Sequence, residues 1–171
     1  MHGVAVHEVT RYSALTGEPE ADAILIRPGV GNIVAFIKTA DCVPILIIAG
    51  EERLLIHAGW KGLADGIIKK SCSLLKSPVG AAVLIGPAAG PAYYEVGTDV
   101  IDALGEDAVI RGKTEIGYLL SLSETAAKKL HAVLPNANLH DSKVCTMSNT
   151  EFHSYRRNKE QSGRNVSFMV S

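Results

Sequence analysis

Hydrophobic and polar positions follow two periods along the chain. Residues 24–26 form a short apolar strand closed by Pro28-Gly29, and residues 33–38 form another, rich in β-branched and aromatic side chains. Residues 43–48 (VPILII) are apolar without a break, as in a strand covered on both faces. The polar turn Gly50-Glu51-Glu52 follows, and residues 54–57 return as a strand. From residue 60 the period lengthens. Leu63, Ile67, Ile68, Leu74 and Leu75 fall near helical spacing, so the pattern predicts one helix over 60–76, stopped by Pro78. Residues 81–85 read as a strand running into the turn GPAAGP, and 98–104 as a short helix. The clearest helix is 121–134, with Ser121 and Glu124 set as a capping box and Pro135 after the end. Residues 139–145 and 166–170 are closing strands, and 13–22 is a polar loop after a short first strand. Strands and helices mix without a regular βαβ alternation. The fold class expected is α+β, a single domain over 1–171 with mixed β-sheets and flanking helices.

Composition narrows the function classes. The 171 residues suit one core, and a formal net charge of -1 gives no duplex-binding face and no attraction to an anionic membrane. We therefore expect neither a nucleic-acid nor a membrane partner. The longest apolar run, 43–50, is far below the roughly 20 residues of a spanning helix. The first residues lack the basic-then-apolar pattern of a signal peptide. Three cysteines, an odd number with no CxxC pair, fit a reducing compartment, and the expected location is cytoplasmic.

The chemistry concentrates in KTADCVPILI and LLIHAGWKG. If residues 43–48 and 54–57 pair about Gly50, His57 faces Pro44 or its neighbour. Cys42, two residues from Pro44, then shares that face, because strand side chains alternate. Diagonal neighbours on one face lie about 7–8 Å apart, near enough for thiolate and imidazole to share one metal at about 2.3 and 2.0 Å. A slip of one residue would turn His57 away. On pattern alone, a buried cysteine and a satisfied core histidine are the commoner case. Two features weigh against that here: the polar strand end Thr39-Ala40-Asp41, and the small residues after His57. Asp41 is either a turn residue or an acid/base group. Lys61 is either a solvated charge or a substrate contact. Arg156 and Arg157 belong to a basic cluster with Lys159 and Arg164, enough for one phosphate. Tyr93 and Tyr94 stack on a ring or pack the core. Cys72 and Cys145 read as structural.

TADCVPILI, IHAGWKGL, IGPAAGPAYYEVG and FHSYRR, in this order, resemble the YfiH-like laccase-domain family, also called multicopper polyphenol oxidases. The resemblance runs from His2 nearly to the C-terminus. It implies zinc bound by the histidine of Met1-His2-Gly3, by Cys42 and by His57. Relatives carry a longer segment ahead of the first histidine. His7 ranks behind His2 as a ligand because no glycine follows it, and His153 stands where many relatives have a second aromatic. Three ligands leave the fourth position of tetrahedral zinc open, which is a catalytic arrangement. The resemblance further implies purine nucleoside chemistry: phosphorolysis of adenosine, inosine and methylthioadenosine, and deamination of adenosine. Cys42, Asp41 and His57 are then the candidate catalytic group, and Lys61, Arg156 and Arg157 the candidate substrate-binding group, with a purine nucleoside and phosphate as partners. Two alternatives stay open. One is a cysteine hydrolase of peptidoglycan editing with Cys42 as nucleophile. The other is copper-dependent phenol oxidation, disfavoured by six scattered histidines without an HxH pair.

Overall fold

A computed structural model describes residues 3–10 and 20–171. The uninterrupted apolar runs form the middle of a six-stranded mixed sheet. Its strands are β1 (Val6–Val9), β2 (Ala23–Ile26), β4 (Val43–Ala49), β5 (Glu52–Ala58), β6 (Ala82–Ile85) and β10 (Asn138–Asp141), in the spatial order β1-β2-β5-β4-β6-β10. The outer pairs β1–β2 and β6–β10 are parallel, and the inner pairs antiparallel. The expected hairpin is present in the expected register, with Pro44 opposite His57 and Ile45 opposite Ile56.

One face of this sheet is the main core. Ile45, Ile47, Leu54, Ile56, Val83 and Ile85 are sealed there against helices. The helical layer consists of α1 (Trp60–Ala64), α2 (Ile67–Cys72), α3 (Thr98–Leu104) and α4 (Leu122–Val133). The single helix expected over 60–76 is two, split at Asp65-Gly66. Gly66 takes φ +83, a left-handed conformation that a glycine adopts without strain. The break lets Leu63 and Ile67 both reach full burial. The α4 cap is half the expected box. Ser121 Oγ accepts from the Glu124 amide, but the Glu124 carboxylate turns to Arg111, and the Ser121 amide donates to the Val109 carbonyl.

The other face carries an antiparallel pair, β3 (Val34–Thr39) and β11 (Asn165–Val170), over a small second cluster of Ile26, Ala35, Ile37, Leu55 and Met169. A three-stranded sheet that periodicity did not reveal joins β7 (Glu95–Val96), β9 (Tyr118–Leu120) and β8 (Ile110–Lys113). These strands are short, and a bulge interrupts the pairing between Ile110 and Gly112, so no alternation accumulates. The strand expected over 139–145 ends at Asp141. The Asp141 carboxylate accepts from the Lys143 amide, Lys143 takes φ +55, and the chain leaves the sheet. Most of the loop expected over 13–22 lies outside the described residues. No helix among the described residues is long and apolar enough to cross a membrane.

Candidate active site

The β3–β4 connection and the end of β5 meet at one end of the sheet. Thr39 closes β3, and Cys42 immediately precedes β4. His57 lies near the end of β5, and Gly59 caps α1. Cys42 has the strand parity of Pro44, so it shares the face on which His57 stands opposite Pro44. Both line a cavity of about 380 Å³, within the range of small-molecule sites. Asp41, Lys61, Tyr94, Tyr155, Arg156 and Arg164 line it too, together with Lys38, Thr39 and Trp60.

Asp41 organises this end of the molecule. It is buried with φ +87, an uncommon backbone state for a residue other than glycine. One carboxylate oxygen accepts from Thr146 Oγ1 at 2.7 Å, the other from the Arg156 amide at 2.7 Å. Its carbonyl accepts from the Ala89 amide at 2.9 Å, which brings the GPAAGP turn alongside. Asp41 thus joins the β3–β4 bend to the loop after β10 and to α5 (Tyr155–Asn158).

The two adjacent arginines separate in role. Arg156 lays its guanidinium 4.7 Å from the centre of the Tyr94 ring and donates to the Glu95 carbonyl at 2.8 Å. That stack fixes a cation on the cavity wall. Arg157 donates to the carbonyls of Thr146, Met147, Asn149 and Phe152, and to the Asn158 side chain. Its donors are committed to folding the 146–152 loop, and it is not among the cavity residues. Arg164, from the same basic cluster, does line the cavity, and its guanidinium donates to the carbonyls of Ser162 and Gly163. The signal for Arg164 was present in the basic cluster. Lys38, Thr39, Trp60 and Tyr155 stand inside the quoted motifs KTADCVPILI, IHAGWKGL and FHSYRR, but were not singled out as site residues.

Burial, with the neighbouring Asp41 charge second, pushes the Cys42 thiol up to about 12. A bare thiolate is thus disfavoured at neutral pH, and a dication beside the sulfur reverses that preference. Among the described residues no group of three or more His, Cys, Asp and Glu is placed to hold a metal. His2 lies outside the described residues. His7 sits in β1 opposite Ile24 and does not line the cavity. The first described residue, Gly3, is tied to the site. Its amide donates to Asp22 Oδ1 at 3.0 Å, while the Asp22 carbonyl accepts from the His57 amide at 2.8 Å. Gly3 also packs on Gly62 of α1, where a Cβ would sit 3.1 Å from the Gly3 carbonyl. Gly3 is thus linked through Asp22 to the His57 backbone, while Cys42 and His57 share the cavity; a thiol with an imidazole is a donor pair that zinc accepts.

A family model described as multi-copper polyphenol oxidoreductase laccase matches residues 1–171. The chain belongs to that family. A purine nucleoside phosphorylase of Xylella fastidiosa is 37% identical over 177 residues, covering 96% of this chain and 67% of that protein. The purine nucleoside phosphorylase YfiH of Escherichia coli is 34% identical over 91% of this chain and 67% of its own length. The crystal structure of YlmD from Geobacillus stearothermophilus superposes with a TM-score of 0.87 at 30% identity, covering 98% of this chain and 69% of that one. The chain thus spans about two thirds of the length of these relatives.

Proposed function

We propose that this protein is a zinc-dependent purine nucleoside enzyme that phosphorolyses adenosine, inosine and methylthioadenosine and deaminates adenosine. The observation that carries the reading is the meeting of Cys42 and His57 in one cavity with Lys61, Arg156 and Arg164. The names of the relatives supply the substrate class.

His2, Cys42 and His57 would hold the zinc. When bound, zinc supplies Lewis acidity and lowers the pKa of water at its open position. The chain's own groups divide the remaining work. Arg156, Arg164 and Lys61 attract phosphate, and Arg156 is pre-oriented by its stack on Tyr94. In phosphorolysis a phosphate oxygen bonds to the ribose C1′ as the C1′–N9 bond breaks. The electron pair leaves with the base, which takes up a proton. In deamination water adds at C6 of adenine and ammonia departs. Asp41 holds Arg156 through its amide, and each of its oxygens keeps a second lone pair for a proton. The raised thiol pKa of Cys42 opposes the cysteine-hydrolase alternative, which needs a thiolate at neutral pH.

The test is elemental analysis of the purified protein, followed by chromatography of nucleosides incubated with and without phosphate. One zinc per chain is expected, with adenosine converted to inosine without phosphate and to adenine with it. Cys42→Ala should lose zinc and both products. Zinc-loaded protein that turns over no purine nucleoside would refute the reading.

A further inference from the structure

Strand pairing outside the site leaves one surface without a partner. On the β3–β11 sheet Phe168 faces Phe36, and Val170 faces Val34. The inward row, Ala35, Ile37 and Met169, is buried. The outward row is mostly apolar as well: Val34, Val166, Phe168 and Val170 are 56–61% exposed and Phe36 is 37% exposed, with Lys38, opposite Val166, laid over the Phe36 ring as its one charged member. An outward row normally alternates to polar residues.

This two-stranded sheet roofs only part of the face beneath it. Its inward side chains meet Ile26 of β2 and Leu55 of β5. Beside it, on the same face, Ile48 of β4 and Leu84 of β6 remain 44% and 41% exposed. Ile48, Leu84, Phe168 and Val170 line the groove between the roof and the uncovered strands, with Arg53 and His140 as polar walls.

The backbone says what kind of molecule fits. The Ser171 amide donates to the Ile33 carbonyl at 3.2 Å. Alternate residues of β11 therefore turn their backbone towards β3, and Val166, Phe168 and Val170 turn theirs to the outer edge. Among the described residues no strand pairs with that edge. Donors and acceptors at strand spacing, flanked by apolar side chains, match another extended polypeptide. YlmD has the same fold over 98% of this chain, and that region is 69% of its own length. Nearly a third of such a relative is polypeptide beyond the shared part.

We propose that the outer edge of β11 receives a further β-strand, whose apolar side chains close the groove over Ile48 and Leu84. The occupant proposed is a segment of the polypeptide that the longer relatives have outside the shared region, about a third of their length.

Hydrogen exchange on the 171-residue chain tests this, with and without the separately produced part of Geobacillus stearothermophilus YlmD that lies outside the shared region. The amides of Val166, Phe168 and Val170 should exchange fast in the chain alone and slow about tenfold or more on addition, while those of Ile45 and Ile56 stay unchanged. Phe168→Lys, on an exposed side chain, should abolish the slowing without altering the circular dichroism. The same YlmD segment fused to the chain should raise Tm, and a scrambled segment should not. Three outcomes overturn the proposal. One is slow exchange of those amides in the monomeric chain alone. Another is slowing that tracks the chain's own concentration and a dimer in sedimentation, which makes a second copy the occupant. The third is no slowing and no gain in Tm with either form of the segment.

Discussion

Asp41 and Glu52 are buried carboxylates at opposite ends of the same strand pair, and the protein treats them differently. Glu52, at the turn between β4 and β5, is neutralised by Arg27, which also pairs with Glu8 at 2.7 Å. It further accepts from the Lys76 amide at 2.8 Å. The Arg27 and Glu52 side chains are 13% and 4% exposed, so that end is a closed ionic plug. Asp41 has neutral donors instead, a hydroxyl and an amide, and borders the cavity. One end of the hairpin spends its buried charge on holding the chain together. The other keeps a carboxylate uncompensated beside cations that the cavity holds in place.

Substitutions at each end sharpen that contrast. Arg27→Ala should be the most damaging. It leaves Glu52 as a buried unpaired charge, at a cost of about 3–5 kcal/mol. Urea titration should show the lowered midpoint, and nucleoside turnover by the folded fraction should be unchanged. A loss near 1 kcal/mol would mean that solvent reaches Glu52 and that the plug is open.

Asp41→Asn keeps the shape but turns one acceptor into a donor facing Thr146 Oγ1 or the Arg156 amide. Stability should fall by about 1–3 kcal/mol. Phosphorolysis should fall more than zinc affinity, because the displaced group is Arg156. Equal loss of zinc and rate would place Asp41 with the metal instead.

Thr39→Val goes the other way. Thr39 is 2% exposed and its hydroxyl has no hydrogen-bond partner among the described residues. Removing it should stabilise the protein by about 1 kcal/mol, read as a raised urea midpoint. A lowered midpoint would reveal a partner for the hydroxyl.

A further effect is one of pH. Burial pushes the Cys72 thiol up to about 12 from an ordinary 9.0. Below pH 9 folded and unfolded chains both keep this proton. Between 9 and 12 only the folded chain does, so stability falls as pH rises through that window. Cys72→Ala should flatten part of the decline in denaturation midpoints measured from pH 8 to 10.5. An unchanged slope would show that Cys72 does not contribute.

Much of this contrast was legible in the sequence where the signal is local. Two apolar runs and a turn at Gly50 gave the register, hence the shared face of Cys42 and His57. Ser121 and Pro135 marked α4 nearly to the residue. The split at Gly66 was not legible, since Leu63, Ile67 and Ile68 fit one helix as well as two. Nor was the sheet of β7, β8 and β9, whose strands are too short for alternation to show. In the site, chemistry was legible by residue type but not by direction. Arg156 and Arg157 are neighbours of the same type, yet one is turned to the cavity and the other to four carbonyls. That choice is made by the tertiary acceptors each side chain meets.

The Asp41 clamp also has a consequence in time. Its two bonds close loops of 105 and 115 residues, whereas the β4–β5 hairpin pairs residues close in sequence. Loop-closure entropy makes such long-range contacts late events in folding. A refolding chain will regain its central strands before its cavity, and nucleoside turnover will recover after the backbone signal has levelled.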